Sequence, residues 1–581
     1  MPARRRVILG AAAGTVGAGI ALRGRQGWGA TTISVADYGA VPGVGDAGPG
    51  VLAAIAALPK TGGATLMFPK GVYQFSPRTE VAMRLVGIEN LTVEGYGAAL
   101  KFDGQTFPFM VSGCHGLSIR GLTIDWQRPP FSQGEVVGVA PDKMTIDVRI
   151  DPQFPVNGTE PVDAIATHER ATGLMTIGGI DAIGKVKQVS LIGPQILRLV
   201  LRQPFPFRLG NVVVLRHQVH GVNAIRLTNC GGVAVTDVNI YAAPGMALLI
   251  AGCRGITVDR FRVEPTPGST RLMSTCADGM HFAGCRGTID IRDCALKGMG
   301  DDGINVHGEL LTVMDHPDAR TLVLDTPGHR TITSHELPPE GEHFGIIDDQ
   351  SLHSFGEHAI AGAGPGRNEK LTFAKDLPAA IRPGDLLYDA DEAPRVTISR
   401  CRFLGNRARG ILAHRNIVIE KCQFANQSHQ AVLIPTNANE PEGPTVRNVT
   451  IANNEFRGTG RLGLPHGAIC VISRPRREKD QPQPNVEPEP INSDVRIVGN
   501  TIIDSGASAI EVGETHDLTI ASNRIKRREG PAIVLHNVRA AQVTENTCDP
   551  PAPIVIKNTP QEQVTFSKNA GLIFPTGPIL R

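Results

Sequence analysis

The sequence predicts an all-β protein, a right-handed parallel β-helix (solenoid) carrying two inserted β-barrel- or sandwich-like segments. Three observations lead to that reading. Short alternating apolar runs recur between Gly and Asn turns, as in Leu117 to Ile124, Val396 to Ile398 and Leu518 to Ile520, which is the pattern of strands that bury one face. A polar motif repeats at a displacement of 24 residues, Asp278 matching Asp302 and His281 matching Asn305, and a sustained period in this range marks a solenoid. The rhythm stops twice, over 126–220 and 309–394, where hairpin-like strands replace the coils.

From the N-terminus, residues 1–30 read as a twin-arginine-type signal: Arg4-Arg5-Arg6, an apolar run from Val7 to Leu22, then the small pair Gly29-Ala30. The run is shorter and richer in Gly and Ala than the about 20 strongly apolar residues of a membrane span. Export to the periplasm or beyond the cell is therefore expected, with no membrane association after cleavage. Residues 31–125 supply a cap and the first coils: a strand and turn at Ile33 to Ala40, a short helix at Val51 to Leu58, and a second strand through Leu66 and Phe68. This entry closes the open end of a solenoid and resembles the start of pectate-lyase-like proteins.

An inserted β segment (126–220) follows, then coils (221–308), a barrel-like insert (309–394) and coils to the C-terminus (395–581). Arg208-Leu209-Gly210-Asn211-Val212 near the end of the first insert parallels Arg382-Pro383-Gly384-Asp385-Leu386 in the second, so both are expected to be small barrels or sandwiches. The second leaves directly after Asp301-Asp302 and is expected to wall the site. Arg474 to Pro490 is charged and rich in Pro, the composition of a flexible surface loop.

Lys and Arg total 58 against 56 Asp and Glu, a net charge of +2, so no global field attracts nucleic acid. Past the leader Trp126 is the one tryptophan, and thus the one candidate indole platform for a sugar. Of the ten cysteines, Cys230, Cys253 and Cys285 occupy the same point of successive coils and read as small buried residues in a ladder rather than bridges. No Cys-x-x-Cys or His-x-x-x-His pair occurs, so neither a metal nor another cofactor is expected.

Chemistry concentrates at Gly300-Asp301-Asp302-Gly303-Ile304-Asn305-Val306-His307. Aligning coils places Asp278, Asp302, Arg409 and Gln430 in one column. Equivalent residues of adjacent coils lie about 4.8 Å apart, so the carboxylates repel and at least one is pushed upward. One group then holds a proton while another is ionised, the division that glycoside hydrolysis needs, with inversion or retention set by the spacing of the working pair. Asp and Gly are also turn formers, but Asp278, His281, Asp301, Asp302, Asn305, His307, Arg407 and Arg409 converge on three consecutive coils, which a structural corner does not require. His281, Asn305 and His307 suit sugar hydroxyls. Arg407 and Arg409 suit a hydroxyl or an anionic group, or else a salt bridge to a neighbouring Asp. His414, His429 and His466 read as surface or turn residues.

Gly300 to Gly308, Asp278-Gly279-Met280-His281-Phe282, Asn406 to Ile411 with Asn426 and Ala431 to Ile434 beyond, and Pro130-Phe131-Ser132-Gln133-Gly134 together resemble the bacterial α-1,3-galactosidases of glycoside hydrolase family 110. The resemblance implies a β-helix with barrel insertions and metal-free inverting release of terminal α-galactose by an adjacent Asp pair, here Asp301 and Asp302. The sequence departs from that pattern at Pro435-Thr436-Asn437-Ala438-Asn439, where an Asp-containing, aromatic-rich sugar-contact loop is expected. The competing readings are a polygalacturonase-like hydrolase, a polysaccharide lyase or epimerase, and a non-catalytic glycan-binding adhesin. Each takes a glycan partner, as a monomer or homodimer.

Overall fold

The computed structural model describes residues 31–76, 80–325, 340–364, 368–391, 393–440, 442–476, 489–527 and 529–574. The expected signal and residues 477–488 of the Arg474–Pro490 loop lie outside them. At the N-terminal end, strand Thr31–Ser34 runs parallel to Ala64–Met67, which in turn pairs with Leu91–Phe102. The capping helix is Gly48–Ala56 rather than Val51 to Leu58. It begins early because Asp46 Oδ1 accepts the Gly48 N–H at 3.0 Å and Pro49, lacking an N–H, is tolerated in a first turn. Val51 and Ala54 face the core.

Each coil contributes up to three short strands, and like strands stack in parallel. Leu248–Ala251, Met280–Ala283, Ile304–Glu309, Ile411–Ala413 and Val432–Asn437 form one such face in unbroken register. Because side chains alternate along a strand, Met280, Phe282, Ile304, Val306, Ile411 and Val432 enter the core. Leu249, His281, Asn305, Leu412 and Leu433 share a column on the other side.

Repetition makes ladders of like residues. Phe403, Phe424 and Phe456 stack at centroid distances of 4.7 and 4.8 Å. Asn454, Asn500, Asn523, Asn546 and Asn569 form a second ladder, each amide donating to the next at 2.9–3.1 Å while also bonding a carbonyl of the preceding coil. The ten cysteines are free and buried, with the Cys230 N–H donating to Cys253 Sγ at 3.1 Å.

The inserts differ from one another. The second is a closed six-stranded barrel between Leu311 and Asp389, filled by Val313, Leu322, Leu324, Ile346, Phe373 and Leu387. The first, between Phe131 and Arg216, is a seven-stranded antiparallel sheet that does not close. Its apolar face is covered instead by Leu272, Met273 and Cys276 from the solenoid, which removes the need to close on itself.

Candidate active site

The column Asp278, Asp302, Arg409, Gln430 is held by consecutive backbone bonds: the N–H groups of Gly279, Gly303 and Gly410 donate to the carbonyls of Asp302, Arg409 and Gln430 at 2.9, 2.9 and 3.3 Å. The glycine after each of the first three has a steric reason. A Cβ on Gly279, Gly303 or Gly410 would stand 2.5–2.6 Å from the carbonyl oxygen of the next coil, so no larger residue permits this approach.

Each acidic side chain caps the coil after it. Asp278 Oδ1 accepts the Asp302 N–H at 3.2 Å, and Asp302 Oδ1 accepts the Arg409 N–H at 2.8 Å. The Arg409 guanidinium returns to Asp302 Oδ2 at 3.1 Å. Asp301 turns elsewhere: its carboxylate is 3.5 Å from Arg407, whose Nε donates to Asp181 of the first insert at 2.8 Å. Arg216, at the end of that insert, is buried and donates to the carbonyls of Cys276 and Gly300 at 2.9 and 2.7 Å. The insert thus fixes the turn that presents Asp301.

Behind the column runs a chain of imidazoles. His307 Nδ1 donates to the Gly308 carbonyl at 2.8 Å, which leaves its Nε2 to accept from His281 Nε2 at 2.8 Å. His281 Nδ1 is then the acceptor for a proton on Asp278 Oδ2, 2.7 Å away. This order agrees with the electrostatics. Burial, reinforced by Asp301 and Glu442, raises Asp278 well above the ordinary carboxylate range, and burial lowers both histidines. Asp302 is pushed up to about 8 by burial, against the pull of Arg409 and with Asp301 and Asp278 adding to it. Asp278 and Asp302 therefore titrate as a pair that keeps a proton into the neutral range.

These groups open into a cleft of about 250 Å³ lined by Asp278, His281, Asp301, Asp302, Asn305 and Arg409, with further walls from His220, Leu412, His414, Asn437, Glu442 and Arg474. Asn305 Oδ1, Arg409 Nε and His414 Nε2 are buried with no hydrogen-bond partner among the described residues. Buried polar atoms of this kind cost free energy unless a ligand bonds them, and they suit hydroxyl groups.

Trp126 is no sugar platform: it is 1% exposed, aligned with Phe75 and Phe102 in an inward ladder, with its indole N–H on the Gly104 carbonyl at 3.0 Å. Gln430 holds its place in the column but does not line the cleft, and Arg407 clamps Asp301 from outside it. His307 stands behind His281. His414 is not a surface residue; it is 3% exposed and faces the cleft. Among the described residues the barrel supplies no lining residue. It buttresses the wall instead, with Leu310, Leu352 and Tyr388 packed on Ala438.

Glu442 escaped the sequence reading. It belongs to the two-residue strand Glu442–Gly443, which pairs antiparallel with Gly308–Glu309, and its carboxylate lies 3.3 Å from Asn305 Nδ2. Burial works against its ionisation, but His307, His281 and His414 draw it down to about 2. Asp181 and Arg216 were missed as well, since neither belongs to a coil repeat. For Glu442 the one available signal was its place just beyond Pro435 to Asn439, the segment that departs from the family pattern.

Fold and site together define the class: a parallel β-helix with an acidic cleft on one outer face of its coils. The chain is similar to bacterial α-1,3-galactosidases over most of its length. It is 28% identical to alpha-1,3-galactosidase B of Akkermansia muciniphila over 79% of this chain and 63% of that protein, so it spans less than two thirds of that relative. It is 26% identical to alpha-1,3-galactosidase A of Bacteroides fragilis over 86% of this chain and 88% of that one. No protein-family model matches. Among solved structures, the Streptococcus pneumoniae surface protein and adhesin PfbA aligns at a TM-score of 0.42 with 16% identity, covering 95% of this chain and 99% of that one.

Proposed function

We propose that this chain is an exported glycoside hydrolase, an inverting exo-α-galactosidase for terminal α-1,3-linked galactose, with Asp301 and Asp302 as its general acid/base pair. The observation that carries this reading is the convergence of three carboxyl groups with unpartnered Asn305, Arg409 and His414 atoms in one cleft. Asp302 and Asp278 are 2% and 5% exposed and form the floor. Asp301 is half-buried and turned toward the first insert. With the terminal sugar in the cleft, Asp302, which keeps a proton into the neutral range, donates it to the departing oxygen as the glycosidic bond breaks. A water on the opposite face attacks the anomeric carbon and gives its proton to the Asp301 carboxylate, beside which Arg407 stands at 3.5 Å. Asp278 is one of the groups that hold the proton on Asp302. Acid and base on opposite faces of the ring give inversion.

Glu440 and Glu442 on the cleft wall disfavour uronates by like-charge repulsion, so a neutral sugar is favoured over a polygalacturonide. The similarity to α-1,3-galactosidases supports galactose. Digestion of a glycan panel, with NMR of the first anomer released, tests sugar, linkage and stereochemistry together. Release of β-galactose from an α-1,3 linkage is expected, and release of α-galactose, or no turnover on the panel, counts against the proposal. Cell fractionation tests export, which a wholly cytoplasmic mature chain contradicts.

A further inference from the structure

The outward column that carries His281, Asn305, Leu412 and Leu433 continues past the cleft to Cys470 and Glu511. Beside these two, from the turn before strand Gly467–Arg474, comes His466. We propose that His466, Cys470 and Glu511 form a binding site for a divalent transition-metal ion of the zinc class.

Three features carry the proposal. The nitrogen, sulfur and oxygen donors lie within 4.8 Å of one another, and this is the group of three such side chains found among the described residues. Glu511 Oε2 stands 3.6 Å from His466 Nδ1 and 3.7 Å from Cys470 Sγ. A tetrahedral ion with bonds of about 2.0–2.3 Å separates its ligand atoms by about 3.3–3.6 Å, so both pairs that include Glu511 stand within a few tenths of an ångström of that spacing, and His466 and Cys470 lie within 4.8 Å of each other. His466 Nδ1 is buried with no hydrogen-bond partner among the described residues, a cost that a bound ion removes. The Gly467 N–H holds Glu511 Oε2 at 2.7 Å, the kind of outer contact that orients a ligand.

Thiolate, imidazole and one carboxylate select zinc or cobalt over magnesium and calcium, which prefer all-oxygen shells. A fourth position is left for water. The sequence reading expected no metal because it sought paired ligands within one segment, whereas the third ligand here comes from the next coil. Arg474 Nη2 lies 3.3 Å from His466 Nε2. A metal on Nδ1 places the ring proton on Nε2 against this second donor, so loading breaks the contact. Arg474 also lines the acidic cleft, and through it the two sites communicate.

The test uses the full chain, stripped with chelator and titrated with Zn²⁺ and Co²⁺. One tightly held equivalent of zinc is expected, with a thiolate-to-metal charge-transfer band and tetrahedral d–d bands in the cobalt form. Cys470→Ser should abolish the charge-transfer band, and Cys470→Ser and Glu511→Gln should each weaken zinc binding by roughly 100-fold or more. Absence of a stoichiometric zinc, or a cobalt form without the thiolate band, overturns the proposal and needs no variant. Unchanged affinity in both variants, with circular dichroism matching the parent, overturns it equally.

Discussion

Asp278 Oδ1 accepts the backbone N–H of Asp302, one coil further along, at 3.2 Å, and Asp302 repeats the contact on Arg409 at 2.8 Å. The acidic groups are thus part of the coil's own bonding as well as of its chemistry. An Asn at 302 keeps the acceptor oxygen and loses the charge. Asp301→Asn and Asp302→Asn should fold normally while kcat falls by about 10²–10⁴-fold. On an aryl α-galactoside with a good leaving group, Asp302→Asn should lose less than on an oligosaccharide, and Asp301→Asn should lose equally on both. Near-normal turnover in either variant would sink the assignment.

The pH profile of kcat/KM should carry a basic limb near pH 8, because Asp302, raised to about 8 by burial, must keep its proton to act as the acid. Asp278 is one of the groups that raise it. Asp278→Asn should therefore move this limb to lower pH as well as reduce kcat. A limb that stays in place would remove Asp278 from the coupled pair.

Stability should fall with rising pH in the same sense as activity. A carboxyl raised in the folded state binds its proton more tightly than in the unfolded chain, so its stabilising contribution is complete below the unfolded value, near 3.8, and is lost as pH rises through about 8. Asp302→Asn, which never ionises, should melt higher than the parent at pH 8, by on the order of 1 kcal/mol or more, with the two converging near pH 4. Equal melting differences at both pH values would contradict the burial argument.

Two ladders set the scale for the solenoid itself. Phe424 is 1% exposed and sandwiched between Phe403 and Phe456, so Phe424→Ala should cost about 3–5 kcal/mol. Asn523→Ala strands the amides of two neighbours and should cost about 1–3 kcal/mol. Chemical denaturation measures both, and a loss under 1 kcal/mol in either would mean that the coils relax around the gap.

The coil register was legible because side-chain alternation and coil period are local properties. Once Met280 aligns with Ile304, Asp278 must sit beside Asp302. The fate of Trp126 was not legible, since an aromatic residue at a strand end reads the same whether it turns inward or outward. Nor was the open first insert, whose apolar face is satisfied by Leu272 and Met273 rather than by its own strands. Glu442, Asp181 and Arg216 stayed hidden because they reach the site across 137, 226 and 84 residues of chain, a separation at which no periodicity links one residue to another.

By itself the sequence determined the solenoid, its interruptions and the column of polar residues, since all three follow from repeats that successive strands must obey. The tertiary structure alone decided which members of that column face a ligand, which carboxyls keep a proton and which distant side chains clamp them. Those properties depend on burial and on through-space neighbours, and both exist only once remote segments have packed together.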